Sequence, residues 1–221
     1  MRRLKLMVRR INKDIEIALW TEADLESAND FIRADPTRIR PGAAAYNTIS
    51  QSLTFNLAVT LSRLLDRGTL RFHPNKRDVV SIPLMIRLLK QRRCQSALLK
   101  EAEKWTPHVQ GLEDIHIRSC ERGIRGAIRA YGKFDSPRAN RVKHQRLRKF
   151  RNKRLAHNLM NDAMNALPTY DDLFLLLSIA VTVVDEARLA IEGLTPGLED
   201  AKALYREQAD LFWSAALSAE A

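Results

Sequence analysis

Cysteine is nearly missing from this chain: Cys94 and Cys120 are the only two, and neither has a metal-ligand neighbour at zinc spacing. A zinc site built on them is excluded, and both are expected to be free, mostly packed thiols of a reducing cytoplasm. Glycine and proline number 8 each and aromatic residues make up 6%, whereas leucine, alanine, arginine and glutamate dominate. That balance disfavours a sandwich or barrel and favours helices. The most apolar run, Leu173 to Val184, falls short of the about 20 residues that cross a bilayer, so it reads as a buried helix and no membrane partner is expected. Met1 to Leu6 is basic but lacks the apolar core of a signal peptide. There is no phosphate-binding glycine loop, no dinucleotide fingerprint, no internal repeat and no alternating strand pattern. Acidic residues are absent from Arg138 to Met160.

What is present is positive charge. The formal net charge of +11 points to a polyanionic partner, most simply a nucleic acid. Helix signals divide the 221 residues into one all-α domain, an antiparallel bundle of about six helices. A first helix is predicted from about Asn12 to Ala34, ended by Asp35-Pro36, and a second from about Ala43 to Asp66. Arg67 to Val80 reads as an irregular connection, after which Ser81 makes an N-cap with Pro83 in the first turn. The chain should then be helical to about Tyr131, broken near Trp105-Thr106-Pro107, with Gly123 and Gly126 marking either a close helix contact or a bend. Ser136-Pro137 starts a basic helix that runs to about Ala166 and stops at Leu167-Pro168. Thr169 and Asp172 form a capping box for the apolar helix, which Gly193 ends and which belongs in the middle of the bundle. Thr195-Pro196 starts a last amphipathic helix.

The basic helix concentrates the chemistry. At about 100° per residue, Ala156, Leu159, Ala163 and Leu167 share one sector, expected to face the core. Leu147, Phe150, Arg151, Arg154, His157, Asn158 and Asn161 fall opposite. Arg151 and His157 then diverge by about 120° around the axis and about 9 Å along it, so a site they share needs a ligand or a second chain. Leu147 and Phe150 would put apolar surface on this outward face, as at a two-fold homodimer interface, unless another helix of the same chain covers them.

Arg151-Asn152, followed after four residues by His157, resembles the Arg-x(4–6)-His signature of HEPN domains. Leu61-Ser62-Arg63-Leu64-Leu65-Asp66, with Ser81-Ile82-Pro83-Leu84 opening a later helix, is similar to the HEPN branch of bacterial abortive-infection and toxin systems. The resemblance covers about residues 45–190, with the helix in 1–40 and the one in 196–221 packed on that core. It implies a cytoplasmic, homodimeric, metal-independent endoribonuclease without cofactor, a toxin or antiphage effector with a neutralising antitoxin protein as a further partner. It implies His157 as general base or acid and Arg151, helped by Arg154, as the group that stabilises charge on the phosphoryl oxygens. The products would carry 2′,3′-cyclic phosphate and 5′-hydroxyl ends. Asn152 would orient the histidine, although the wheel puts it on the core side. Some HEPN domains are inactive, so the alternative is a noncatalytic helical RNA-binding or protein-interaction module.

The flanking cations Arg146, Arg148, Lys149, Lys153 and Arg154, together with Arg141 and Lys143, are expected to grip an RNA backbone in a salt-dependent way. Arg63 and Asp66, three apart on a helix, are expected to form a supporting ion pair. His73, His108, His116 and His144 read as structural or exposed, Asp171 and Asp172 as favourable charge at a helix start, and Trp20, Trp105 and Trp213 as packing residues.

Overall fold

The computed structural model describes residues 2–36, 42–68, 79–106, 108–109, 111–135, 138–152, 168–194 and 197–218. Among these, all regular secondary structure is helical. Its α-helices are α1 (Arg2–Ala34), α2 (Ala43–Leu64), α3 (Ile82–Leu89), α4 (Arg92–Ala102), α5 (Glu113–Asp135), α6 (Arg138–Phe150), α7 (Tyr170–Glu192) and α8 (Leu198–Ser218). These are eight where the helix signals suggested about six.

Two differences have clear causes. α1 begins at Arg2 rather than near Asn12 because Leu4, Met7, Val8, Ile11 and Ile15 continue one buried stripe at three- and four-residue spacing. The segment after Ser81 is two helices, α3 and α4, with a break at Lys90–Gln91 that no glycine or proline announces. α3 is buried on nearly every side, whereas α4 buries only Leu98 and Ala102, so the two meet different surroundings. Gln95 eases the break by donating its side-chain amide to the Leu89 carbonyl at 2.8 Å, a helix-end acceptor that would otherwise lack a partner.

α7 runs through the core as expected, and Thr169 and Asp172 make its capping box. Gly193 closes it in the left-handed conformation, φ 71°. α5 packs along α7, and Gly123 sets how closely. A Cβ there would stand 2.7 Å from the Ala190 nitrogen and 2.7 Å from the Glu186 carbonyl oxygen, so this glycine serves helix contact rather than a bend. One turn earlier, buried Cys120 donates its thiol to the Ala190 carbonyl at 3.2 Å. Burial, with the Glu121 charge, pushes that thiol up to about 11, which makes it inert as a nucleophile. Both cysteines are free. α1 packs on α2, α7 and α8, and a smaller cluster forms where Ala23 and Ala28 meet Ala209, Trp213 and Leu217. Among the described residues no helix is long and apolar enough to cross a membrane.

Candidate functional site

The site is built on α6, and α6 is anchored by one carboxylate. Asp172 is almost fully buried, with a side-chain exposure of 2%, and takes Lys143 Nζ at 2.7 Å and Arg146 Nη1 at 3.1 Å. Its backbone N–H donates to the Thr169 hydroxyl at 3.1 Å, so the residue that starts α7 also fastens α6. Burial alone would raise its pKa; hydrogen bonds from Lys143, Arg146 and the Thr169 N–H outweigh this and hold it below the usual carboxylate value. Lys143 and Arg146 thus share one carboxylate and the cluster keeps one net positive charge, while Arg148 and Lys149 are exposed cations.

Leu147 and Phe150 do not form an outward apolar surface. Their exposures are 0% and 7%, and Phe150 stacks on Phe55 of α2 with ring centroids 5.7 Å apart. Helix α6 buries the stripe His144, Leu147, Phe150 against α2, α5 and α7 of the same chain, which is the coverage that the wheel left as its other reading. The wheel took its phase from Ala156 to Leu167, residues outside those described here. At Arg151 and Asn152 the helix passes into a π-type turn, in which i→i+5 bonding advances each residue by less than 100°. Asn152 is accordingly exposed rather than core-facing, and its Oδ1 accepts from Arg151 Nε at 3.0 Å.

Arg63 and Asp66 do not pair with each other. Arg63 reaches back to Asp14 of α1 at 3.3 Å, whereas Asp66 Oδ2 faces Arg151 Nη1 at 3.5 Å. Local backbone holds Asp66 in that attitude. It follows the last turn of α2, its Oδ1 accepts from the Gly68 N–H at 2.9 Å, and Gly68 is left-handed at φ 58°. One carboxylate oxygen thus secures the loop and the other orients the arginine. Both partners are more than one-third exposed, so the pair contributes at most about 1 kcal/mol to stability and serves to aim the guanidinium. Arg151 is gripped at Nε and Nη1, and Nη2 has no hydrogen bond among the described residues.

Behind this pair sits a group that the sequence did not signal. His144 is buried, at 7% exposure, with its ring 6.0 Å from Phe134. Burial lowers its pKa to about 4; the charges of Arg67 and Arg148 push the same way, against opposing effects from Asp135 and Asp66. Arg67 is ion-paired with Asp135, the last residue of α5. His144 is therefore neutral in the fold, whereas in the unfolded chain it protonates near pH 6.5. The unfolded state binds the extra proton first, so this group lowers stability as pH falls from the unfolded toward the folded value. Between about pH 7.5 and about pH 5 the expected loss is about 2 kcal/mol. His144→Leu should abolish that part of the pH dependence in urea denaturation; an unchanged slope would show that the imidazole is not held neutral.

His157, Lys153 and Arg154 lie outside the described residues. The described end of the basic helix brings together Arg151, Asp66 and Asn152, with Arg148 and Lys149 as the nearest exposed cations in sequence. A family model described as HEPN_AbiU2, AbiU2, matches the chain over residues 2–212, beyond the 45–190 stretch on both sides. No curated protein and no solved structure matches it.

Proposed function

The chain belongs to the HEPN AbiU2 family, which is linked to abortive infection, and on that premise we propose that it is a metal-independent endoribonuclease acting as a toxin or antiphage effector. The observation that carries this reading is the treatment of Arg151: the arginine that opens the motif is held at two nitrogens by Asp66 and Asn152, in a turn that departs from ordinary α geometry. An arginine held so, with free donor capacity and its side chain about one-third exposed, is suited to a phosphate. In the reaction the RNA 2′-oxygen attacks the adjacent phosphorus while the 5′-oxygen leaves. One proton is removed from the 2′-hydroxyl and one delivered to the 5′-oxygen, and an imidazole such as that of His157 is chemically suited to either transfer. Arg151, helped by Arg154, offsets charge on the non-bridging oxygens. Arg148, Lys149 and Lys153 would follow the backbone on either side.

We read the working form as a cytoplasmic homodimer, in which the His157 of a second copy supplies the other proton transfer, and a neutralising antitoxin protein as a further partner. Because Leu147 and Phe150 are covered by the chain itself, the dimer needs other apolar surface; the exposed Leu204, Leu211 and Phe212 of α8 are available. The test is end-group chemistry. Structured and unstructured RNAs incubated with the protein in EDTA should yield fragments with 2′,3′-cyclic phosphate and 5′-hydroxyl ends. RNA that is bound but never cut would point to the noncatalytic binding module instead, and cleavage that EDTA abolishes would sink the mechanism.

A further inference from the structure

A groove of about 330 Å³ lies between α2, Phe150 of α6 and the start of α7. Phe55 and Phe150 form a stacked pair at its floor, and Tyr170 stands at its edge, 39% exposed. The Thr54 hydroxyl, which donates to the Ser50 carbonyl at 2.7 Å, lies 3.3 Å from the Tyr170 hydroxyl and fixes that ring beside α2. Asn47 and Gln51, one helical turn apart on α2, line the groove with exposed amides that make no hydrogen bond among the described residues. Ser50 adds a buried hydroxyl oxygen with no partner. A buried hydroxyl left unsatisfied is costly unless a ligand or water meets it.

The lining is uncharged, although the chain carries +11. Aromatic faces with amide and hydroxyl edges match a neutral planar ring bearing hydrogen-bonding groups. Phe150 and Arg151 are consecutive but project differently: Phe150 meets Phe55, whereas the guanidinium meets Asp66, which follows the end of α2 about 16 Å beyond Phe55. We propose that this groove is a nucleobase pocket, which takes an unpaired base of single-stranded RNA a few nucleotides along the strand from the phosphate held by Arg151. The inference rests on RNA as the substrate of that site. It makes the enzyme selective for unpaired positions, because a base within a duplex cannot present its face and its Watson–Crick edge together to such a groove.

The experiment uses 2′-fluoro hexanucleotides of adenine, cytosine or uracil, which lack the attacking hydroxyl and so report binding whether or not the protein cleaves. Wild-type protein should favour one base over the others by about tenfold, and Tyr170→Ala and Gln51→Leu should each bring the three hexamers to within about twofold of one another. Both side chains are exposed, so these variants keep the bundle, and a matching thermal midpoint verifies this. Equal binding of all three hexamers by the wild type, a preference that survives in both variants, or no binding at all would overturn the pocket. Cleavage of ordinary RNA by the same proteins separates this from the nuclease reading. Cutting without base preference removes the pocket and leaves the nuclease, whereas a pocket-dependent preference with no cutting removes the nuclease and leaves the pocket.

Discussion

His157→Ala and Arg151→Ala are each expected to lower the rate of RNA cleavage by about a thousandfold while changing RNA affinity little. The histidine supplies a proton transfer in the transition state, and the arginine meets phosphoryl charge that increases there. Both losses should therefore fall on kcat rather than KM. Backbone affinity comes from the summed contacts of the basic helix, and one arginine among several cations is a small share of it. Asp66 is the discriminating position. It is a positioning residue, acting through Arg151, and Asp66→Asn keeps the bond to the Gly68 N–H within reach while it removes the charge that aims the guanidinium. A decrease in kcat of about tenfold with unchanged KM is expected, together with a stability change below about 1 kcal/mol. In the Asp66→Asn, Arg151→Ala double variant the Asp66 effect should vanish, since it has nothing left to orient. Arg151→Ala protein that cuts as fast as wild type would remove the arginine from the mechanism, and additive losses would remove Asp66 from it.

Asp172→Ala should destabilise the fold by about 4 kcal/mol, measured by urea or thermal denaturation. The substitution removes the carboxylate half of the capping box that starts α7 and strands two cations, Lys143 and Arg146, of which Lys143 is only 26% exposed in its side chain. Losing a helix cap alone costs about 1 kcal/mol, so most of the effect comes from the unpaired charges. The sign with pH follows from the lowered folded-state pKa: the stabilisation is present above the unfolded value of about 3.9 and is lost as pH falls through the lower folded value. Asp172→Asn preserves an oxygen for the Thr169 N–H and should lose less than the alanine variant. An alanine variant within about 1 kcal/mol of wild type would show that the carboxylate contributes no more than an ordinary surface cap.

Much of this protein could be read from residues close together along the chain. Leucine- and alanine-rich periodicity dictates helices, Thr169 and Asp172 start α7 three residues apart, and Gly193 stops it. The same holds for Arg151 with His157, a motif that lies within two turns. Such signals depend on hydrogen bonds and spacings inside one helix, so no tertiary information is needed to see them. The partner of Arg151 lies 85 residues away, and Asp66 reaches it only because the end of α2 is packed beside the end of α6. Spacing along one helix pairs Asp66 with Arg63, but in the fold Arg63 meets Asp14 of α1 instead. The wheel assigned Leu147 and Phe150 to the outside because a single helix does not reveal which side its neighbours cover. His144 became a buried neutral imidazole, and Phe55, Phe150 and Tyr170 became one groove, for the same reason. Composition and local pattern determined that the chain is helical, basic and equipped with a HEPN-type arginine and histidine. Which faces are buried, and which charges meet, was decided by packing between helices distant in sequence, where burial and Coulomb energy depend on neighbours that periodicity does not encode.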